Sequence, residues 1–347
     1  MDFKQMYQEK LVSAEKAASV IKSGDWVDYG WTTATPVAVD KAIAKRLPEL
    51  TDVNFRGGIL MWVPEIFKIE NPAEHMTWNS WHMSGIERKA IAQGFSYYAP
   101  IRYSELPRYY RESQNKPDVA VFQVSPMDEH GFFNFGPNAS HMAAVCETSK
   151  VVIVEVNENM PVCFGGTEEG VHISHVDMIV EGDNPAIAEM GGAAAASDVD
   201  EAVAKLILEE IPDGAVLSLG VGGVPFTVAN MLAQSDKTDL GCHTGTISDA
   251  FLALHKAGKL TNKKKEIDNG YSTWNLAMGS QELYDWLDNE PQLFHPADVD
   301  YVHSPYRIGE MKNVISINGG VELDLMGQEN AESAGTRQLS GIGGQMD

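Results

Sequence analysis

The residues best suited to chemistry sit in two neighbouring stretches, Leu217-Ser218-Leu219-Gly220-Val221-Gly222-Gly223-Val224-Pro225 and Gly241-Cys242-His243-Thr244-Gly245-Thr246. In the first, an apolar run ends in Gly220-Val221-Gly222-Gly223, with Pro225 just beyond. That pattern predicts a buried strand, a tight glycine turn and a helix start. Glycines let bare backbone N–H groups face a phosphate or a developing oxyanion. The same grammar serves plain packing in many α/β folds, so the turn alone names no ligand. In the second stretch Cys242 and His243 have the composition of a thiol–imidazole pair, but neighbours on a strand point to opposite faces, which argues against a thiol nucleophile.

Other residues carry a chemical reading beside a plainer one. His130, in Ser125-Pro126-Met127-Asp128-Glu129-His130-Gly131, follows a strand end, where open α/β sheets place ligands. The plainer reading is a loop histidine bonded to backbone. Lys263-Lys264-Lys265 could meet a phosphate and reads more simply as a solvated turn. Two more glycine turns, Ile317-Asn318-Gly319-Gly320 and Gly341-Ile342-Gly343-Gly344, either converge on one ligand or stand as independent turns. The chain has no HExxH, no CxxC pair and no Walker A sequence, so neither a metal nor a nucleoside triphosphate is indicated. The Gly220 turn also lacks the third glycine of a dinucleotide fingerprint at the required spacing.

A net charge of −23 argues against nucleic acid or an anionic membrane surface as a partner, while leaving room for a small anion at a local site. No apolar stretch reaches the length of a membrane helix, and Met1-Asp2-Phe3-Lys4-Gln5 is not a signal peptide. Three widely spaced cysteines, Cys146, Cys163 and Cys242, suit free thiols in a reducing cytoplasm.

These groups must be positioned by more than one core, because 347 residues exceed one ordinary domain. Ser13 to Lys22 has helical spacing, Gly24 stops it, and Trp26 to Gly30 alternates like a strand before Thr35-Pro36 opens a helix. From Ser197 the same module recurs. It comprises a helix with Val203, Leu206 and Ile207 facing inward, a stop at Gly214, a strand over Ala215–Leu219, and a helix opened by Pro225. Val119–Val124 and Val151–Val156 read as parallel strands buried on both faces, with a shorter strand over Asp177–Glu181. Further strands are expected at 216–219, 240–242 and 314–317. The expected architecture is α/β, with two tandem open-sheet domains of similar topology. The boundary falls in Gly182 to Ser197, where Gly191-Gly192 and four alanines mark a linker, giving domains 1–190 and 191–347.

Taken together, several stretches resemble the acetyl-CoA hydrolase/transferase family of class I CoA-transferases. They include Ser23-Gly24-Asp25-Trp26-Val27-Asp28-Tyr29, Asn79-Ser80-Trp81-His82, Ser125-Pro126-Met127-Asp128, Leu240-Gly241-x-His243-Thr244, Leu260-Thr261-Asn262-Lys263 and Gly279-Ser280-Gln281-Glu282-Leu283-Tyr284. Gly327-Gln328 leading to Ala331-Glu332-Ser333-x-Gly335-Thr336-Arg337-Gln338 completes the set, which spans nearly the whole chain in order. The resemblance implies exchange of CoA between a short-chain acyl-CoA and a carboxylate such as acetate, with CoA as substrate and carrier, no separate cofactor and no metal. In that chemistry a glutamate attacks the thioester, an acyl-glutamyl anhydride forms, and returning CoA makes a glutamyl thioester that the acceptor acid attacks. It further implies that Gly220, Val221, Gly222, Gly223 and Val224 form the first CoA loop, with Gly320 and Gly343 reaching CoA from later turns. Neither nucleic acid nor membrane is implied as a partner, and a homo-oligomer is compatible with the resemblance.

The chain departs from the family pattern in two ways. Where the family has His-Thr-Glu, this chain has His243-Thr244-Gly245, and glycine has no carboxylate to act as the nucleophile. Thr246 departs too, from an apolar residue, which favours a natural variant over a single engineered change. Asp249 is the nearby alternative carboxylate, pointing a different way along the chain. Family members also run on past the Gly-Gly-Gln-x-Asp motif at which this chain stops, so the resemblance implies a truncated or cleaved form. A catalytically silent CoA-binding protein and an acyl-CoA thioesterase are the rival expectations. Trp31, Met61 and Trp62 are expected either to line an acyl pocket or to pack in the core.

Overall fold

Glycine stops, β-branched runs and helix caps arrange the chain around two parallel sheets in a computed structural model that describes residues 2–190 and 196–347. The glycine pair and the first three alanines of the expected linker, at 191–195, lie outside the described residues. The first sheet contains β1 (Trp26–Asp28), β2 (Val53–Gly57), β3 (Met76–Ser80), β4 (Ser96–Tyr98), β5 (Val119–Val124), β6 (Val151–Val156) and β7 (Met178–Glu181). Their order is β4-β3-β2-β1-β5-β6-β7, with parallel pairing throughout. β5 is buried at every position, as its unbroken Val-Ala-Val-Phe-Gln-Val run requires of a strand covered on both faces.

The second sheet contains β8 (Val216–Leu219), β9 (Gly241–Ile247), β10 (Ser272–Ala277), β11 (Phe294–Pro296) and β12 (Val314–Ile317), in the order β11-β10-β9-β8-β12. All its pairings are parallel. In both sheets the first four strands run outward in one direction and the fifth adds on the other side of the first. The likeness extends to single hydrogen bonds. Gly24 and Gly214 both take positive φ just before the first strand, and their N–H groups donate to Thr51 and Thr238 carbonyls at 3.1 and 2.9 Å. Asp52 and Asp239, preceding the second strands, share φ values of 55° and 54°. Two tandem α/β units of like topology are therefore present.

Several elements differ from their sequence reading. The helix after Ser13 covers only Ala14–Ala18, and the Thr35-Pro36 helix runs Ala38–Arg46. In the helix Asp198–Glu210, Ala204 is fully buried and Ile207 packs on the core as expected, while Val203 and Leu206 are 36% and 67% exposed, so that part of the expected inward face is turned outward. The strand expected to end at Cys242 continues to Ile247, because Thr244, Thr246 and Ile247 pair with β10. β10 itself, Ser-Thr-Trp-Asn-Leu-Ala, was not read from the sequence, since its polar and apolar residues follow no simple alternation although every position is buried.

Candidate active site

An open parallel sheet leaves a crevice beyond the carboxyl ends of its strands, at the point where strand order reverses. In the second sheet that point lies between β8 and β12. Gly220 and Val221 after β8, and Asn318 and Gly319 after β12, line a cavity of about 380 Å³ there. Thr244, Gly245 and Thr246 of β9 line it from the side. The strand ends of the first sheet face the same cavity through Trp31 after β1, Ile59 after β2 and His82 after β3.

The last turn of the chain joins them. Gly341, Gly343 and Gly344 line the cavity, and the first half of the molecule holds them there. The Tyr103 N–H donates to the Gly343 carbonyl at 3.0 Å, and the Ile342 N–H donates to the Tyr98 hydroxyl at 2.9 Å. The Tyr98 hydroxyl in turn donates to Glu332 at 2.7 Å, and the Ser104 hydroxyl donates to Asp347 at 2.6 Å. Gly343 has φ of +56°, and a side chain at Gly341 would strike the Trp81 carbonyl and His82, so this turn depends on glycine.

The family models that match the chain are the acetyl-CoA hydrolase/transferase N-terminal domain, over residues 1–190, and the corresponding C-terminal domain, over 279–347. The chain belongs to the acetyl-CoA hydrolase/transferase family. It is 59% identical over 347 residues to the butyryl-CoA:acetate CoA-transferase of Anaerostipes caccae, covering 100% of this chain and 78% of that one. The 4-hydroxybutyrate coenzyme A transferase of Clostridium kluyveri is 35% identical over 351 residues, covering 100% and 79%. The crystal structure of RipA from Yersinia pestis superposes with a TM-score of 0.87 at 32% identity, covering 96% and 78%.

Within this family member the sequence-selected residues divide. Gly220, Val221, Gly245 and Gly343 meet at the cavity. Gly222, with φ of 155°, caps the helix Gly223–Gln234, whose Gly223 faces Asp200 and whose Val224 packs on the core of the second sheet. Gly320 sits against Glu329, whose carboxylate a side chain at 320 would strike. Trp31 lines the cavity, stacked on Tyr103 at 5.3 Å, whereas Trp62 lines a separate hollow with Thr33 and Ile187.

The alternative chemical readings resolve on burial and partners. His130 is an exposed loop side chain beside Glu129. Cys242 is fully buried, which pushes its thiol up to about 12 and leaves it inert. Asp249 accepts from the Ser280 hydroxyl at 2.6 Å and the Ser280 N–H at 3.0 Å, a structural role. Lys265 departs from the solvated-turn reading. It is 2% exposed, and its ammonium donates to the Cys242 carbonyl, the Tyr271 carbonyl and the Thr273 hydroxyl at 2.7–2.8 Å. Burial draws its pKa down to about 8.

Two histidines complete the site. His82 is desolvated by the tail turn, which lowers its pKa to about 4 and keeps it neutral. His303 was not selected from the sequence at all. Its Nε2 is buried without a hydrogen-bond partner and lies 2.5 Å from where a Cβ would stand on Gly245. A Cβ on Gly344 would come equally close. The imidazole thus fills the space into which a side chain at 245 would project, and it requires glycine on both sides. No sequence signal links 303 to 245; the contact follows from the helix Val299–Val302 ending against β9.

Proposed function

We propose that the chain binds an acyl-CoA with its thioester in this cavity and transfers CoA between a short-chain acyl-CoA and a carboxylate, butyryl-CoA and acetate being the pair to test first. The observation that carries the reading is the convergence of glycine turns after β8, after β12 and in the tail on one cavity, in a chain 59% identical to a butyryl-CoA:acetate CoA-transferase. Backbone N–H groups at such turns suit a tetrahedral oxyanion, since they are fixed in place before charge develops. In this reading Val221 and Gly343 meet the thioester end of CoA, while Gly220, whose N–H already donates to the Ile317 carbonyl at 2.8 Å, allows close backbone approach, and Gly222, Gly223 and Val224 open the helix behind them. Gly320 is set further out. The reaction needs no metal and no cofactor beyond CoA itself. We place the chain in the cytoplasm, divide it into units 1–190 and 191–347, and leave room for a homo-oligomer. Among the described residues, no helix is long and apolar enough to cross a membrane.

The test is to mix the protein with butyryl-CoA and acetate and assay acetyl-CoA. The obvious companion variant, Gly245→Glu, meets the His303 ring, so it is to be made with His303→Ala as well. Acetyl-CoA formation by the chain itself, or its appearance in the double variant alone, supports the reading. Failure of both proteins to bind butyryl-CoA in titration calorimetry overturns it.

A further inference from the structure

We propose that His303 is the acid–base residue of this cavity and that, with glycine at 245, it activates water, so that the chain hydrolyses acyl-CoA without an acceptor acid. The inference rests on the reading that acyl-CoA binds here. Where the covalent route of the family has a carboxylate, this chain has glycine at 245 and the His303 imidazole filling the space beside it, at the wall of the cavity. Nε2 is buried without a hydrogen-bond partner and faces Gly245 and Gly344, which line the cavity together with His303 itself. On the other side of the ring, Nδ1 lies 4.0 Å from the Asp347 carboxylate. Asp347 is itself fixed, accepting from the Ser104 hydroxyl and N–H at 2.6 and 3.1 Å. At that distance the carboxylate makes no hydrogen bond to Nδ1, but its charge favours a proton on that side of the ring, which leaves the Nε2 lone pair toward the two glycines. It also steadies the imidazolium that forms when Nε2 takes a proton.

The step balances as follows. A water oxygen adds to the thioester carbonyl carbon while one water proton passes to Nε2. The carbon–sulfur bond then breaks, the proton on Nε2 goes to the departing sulfur, and CoA leaves as the thiol. The acid product loses its remaining proton to solvent. No oxidant, metal or second substrate is needed. Transfer differs from this hydrolysis by one further step: an attacking acceptor carboxylate gives a mixed anhydride, whose acceptor carbonyl the CoA sulfur must then attack with release of the acyl carboxylate, whereas attack by water ends at the free acid and thiol.

Burial holds His303 down to about pKa 4, against the upward pull of Asp347, so the basic form is present at neutral pH. The groups facing it are Asp347 and the Gly344 backbone from the tail, Tyr103 at 5.5 Å between ring centroids, and His243 of β9. His243 is likewise held neutral by burial, down to about 4, with its Nε2 at 2.7 Å from the Val302 carbonyl.

The experiment uses butyryl-CoA alone, with thiol release followed by a chromogenic disulfide and the reaction repeated in water enriched in oxygen-18. Expected are acceptor-free thiol release, one heavy oxygen in the butyrate, and a kcat/KM profile whose acid limb falls near pH 4 instead of near 6.5. His303→Gln keeps the size and polarity of the ring but cannot take up the proton; its kcat falls ~100-fold with KM little changed, and the acid limb disappears. Free imidazole partly restores His303→Ala. Asp347→Asn, which leaves His303 in place, lowers kcat ~10-fold and guards against a His303 variant that does not fold. Unaltered hydrolysis in His303→Gln overturns the assignment, as does the absence of acceptor-free hydrolysis in a protein that binds butyryl-CoA. A protein that does not bind butyryl-CoA overturns the proposed function as well, so the two failures are told apart by the binding titration.

Discussion

Gly245 and His303 are one feature seen from two sides. A residue with a Cβ at 245 cannot coexist with the ring in its present place, since the approach of 2.5 Å is far inside van der Waals contact. Gly245→Glu alone is therefore expected to lower the melting temperature, and His303→Ala in the same chain to recover it, measured by thermal denaturation. Lys265 gives a second prediction at this scale. Its ammonium meets three buried oxygens with its three donors, so Lys265→Met strands acceptors between β9, β10 and the loop before β10. The expected loss is roughly 2 kcal/mol or more in urea unfolding. Equal stability of Lys265→Met and the parent would show that the buried cation contributes nothing net.

At the scale of elements, the helix Asp198–Glu210 is capped well and packed thinly. Ser197 and Asp200 form a reciprocal capping box at its start, yet Ala204 is its single fully buried residue. Ala204→Leu is expected to cost about 1–3 kcal/mol through overpacking, whereas Leu206→Gln, on the exposed face, stays within about 0.5 kcal/mol. Denaturant titration of both variants checks the contrast, and equal effects would refute the orientation described. The short helix Val299–Val302 carries a pH-dependent cap. Burial, then the neighbouring Glu168 and Asp300, raise the Asp298 carboxyl well above the usual carboxylate range, and its Oδ2 has no partner. A raised carboxyl holds its proton in the folded state and gives it up in the unfolded state. Its contribution is present at acid pH, below the unfolded value, and is lost as pH rises through the raised folded value. Asp298→Asn keeps the neutral cap at every pH, so it should match the parent under acid conditions and exceed it in stability under alkaline ones. Parallel stability curves for the two proteins across that range would refute the shift.

At the scale of the whole molecule, the site exists because the tail crosses from the second sheet to the loops of the first. Tyr98→Phe removes one donor and one acceptor that hold Glu332 and Ile342, and should weaken CoA binding about fivefold, equivalent to ~1 kcal/mol, in calorimetric titration. Unchanged affinity would show that the tail turn is held by its other contacts. Much of the architecture was legible beforehand because it is local: the glycine stops at Gly24 and Gly214, the apolar runs of β5 and β6 broken only by Gln123 and Glu155, and the Ser13 and Ser197 caps each act within a few residues. The glycine turns were legible as turns for the same reason, but not their meeting at one cavity, which strand order decides. The outward face of the helix Asp198–Glu210 was not, since periodicity gives a stripe of apolar residues without saying whether another element covers it. Nor was the burial of Lys265, whose three acceptors are brought together only by strand pairing. What the sequence alone determined was the α/β class, the repeated module, the family and a glycine, without a side chain, at 245. What only the tertiary structure decided was the occupant of that missing side chain's space. His303 lies 58 residues further along the chain, and no periodicity or spacing rule relates two positions that meet solely because a helix end packs against a strand.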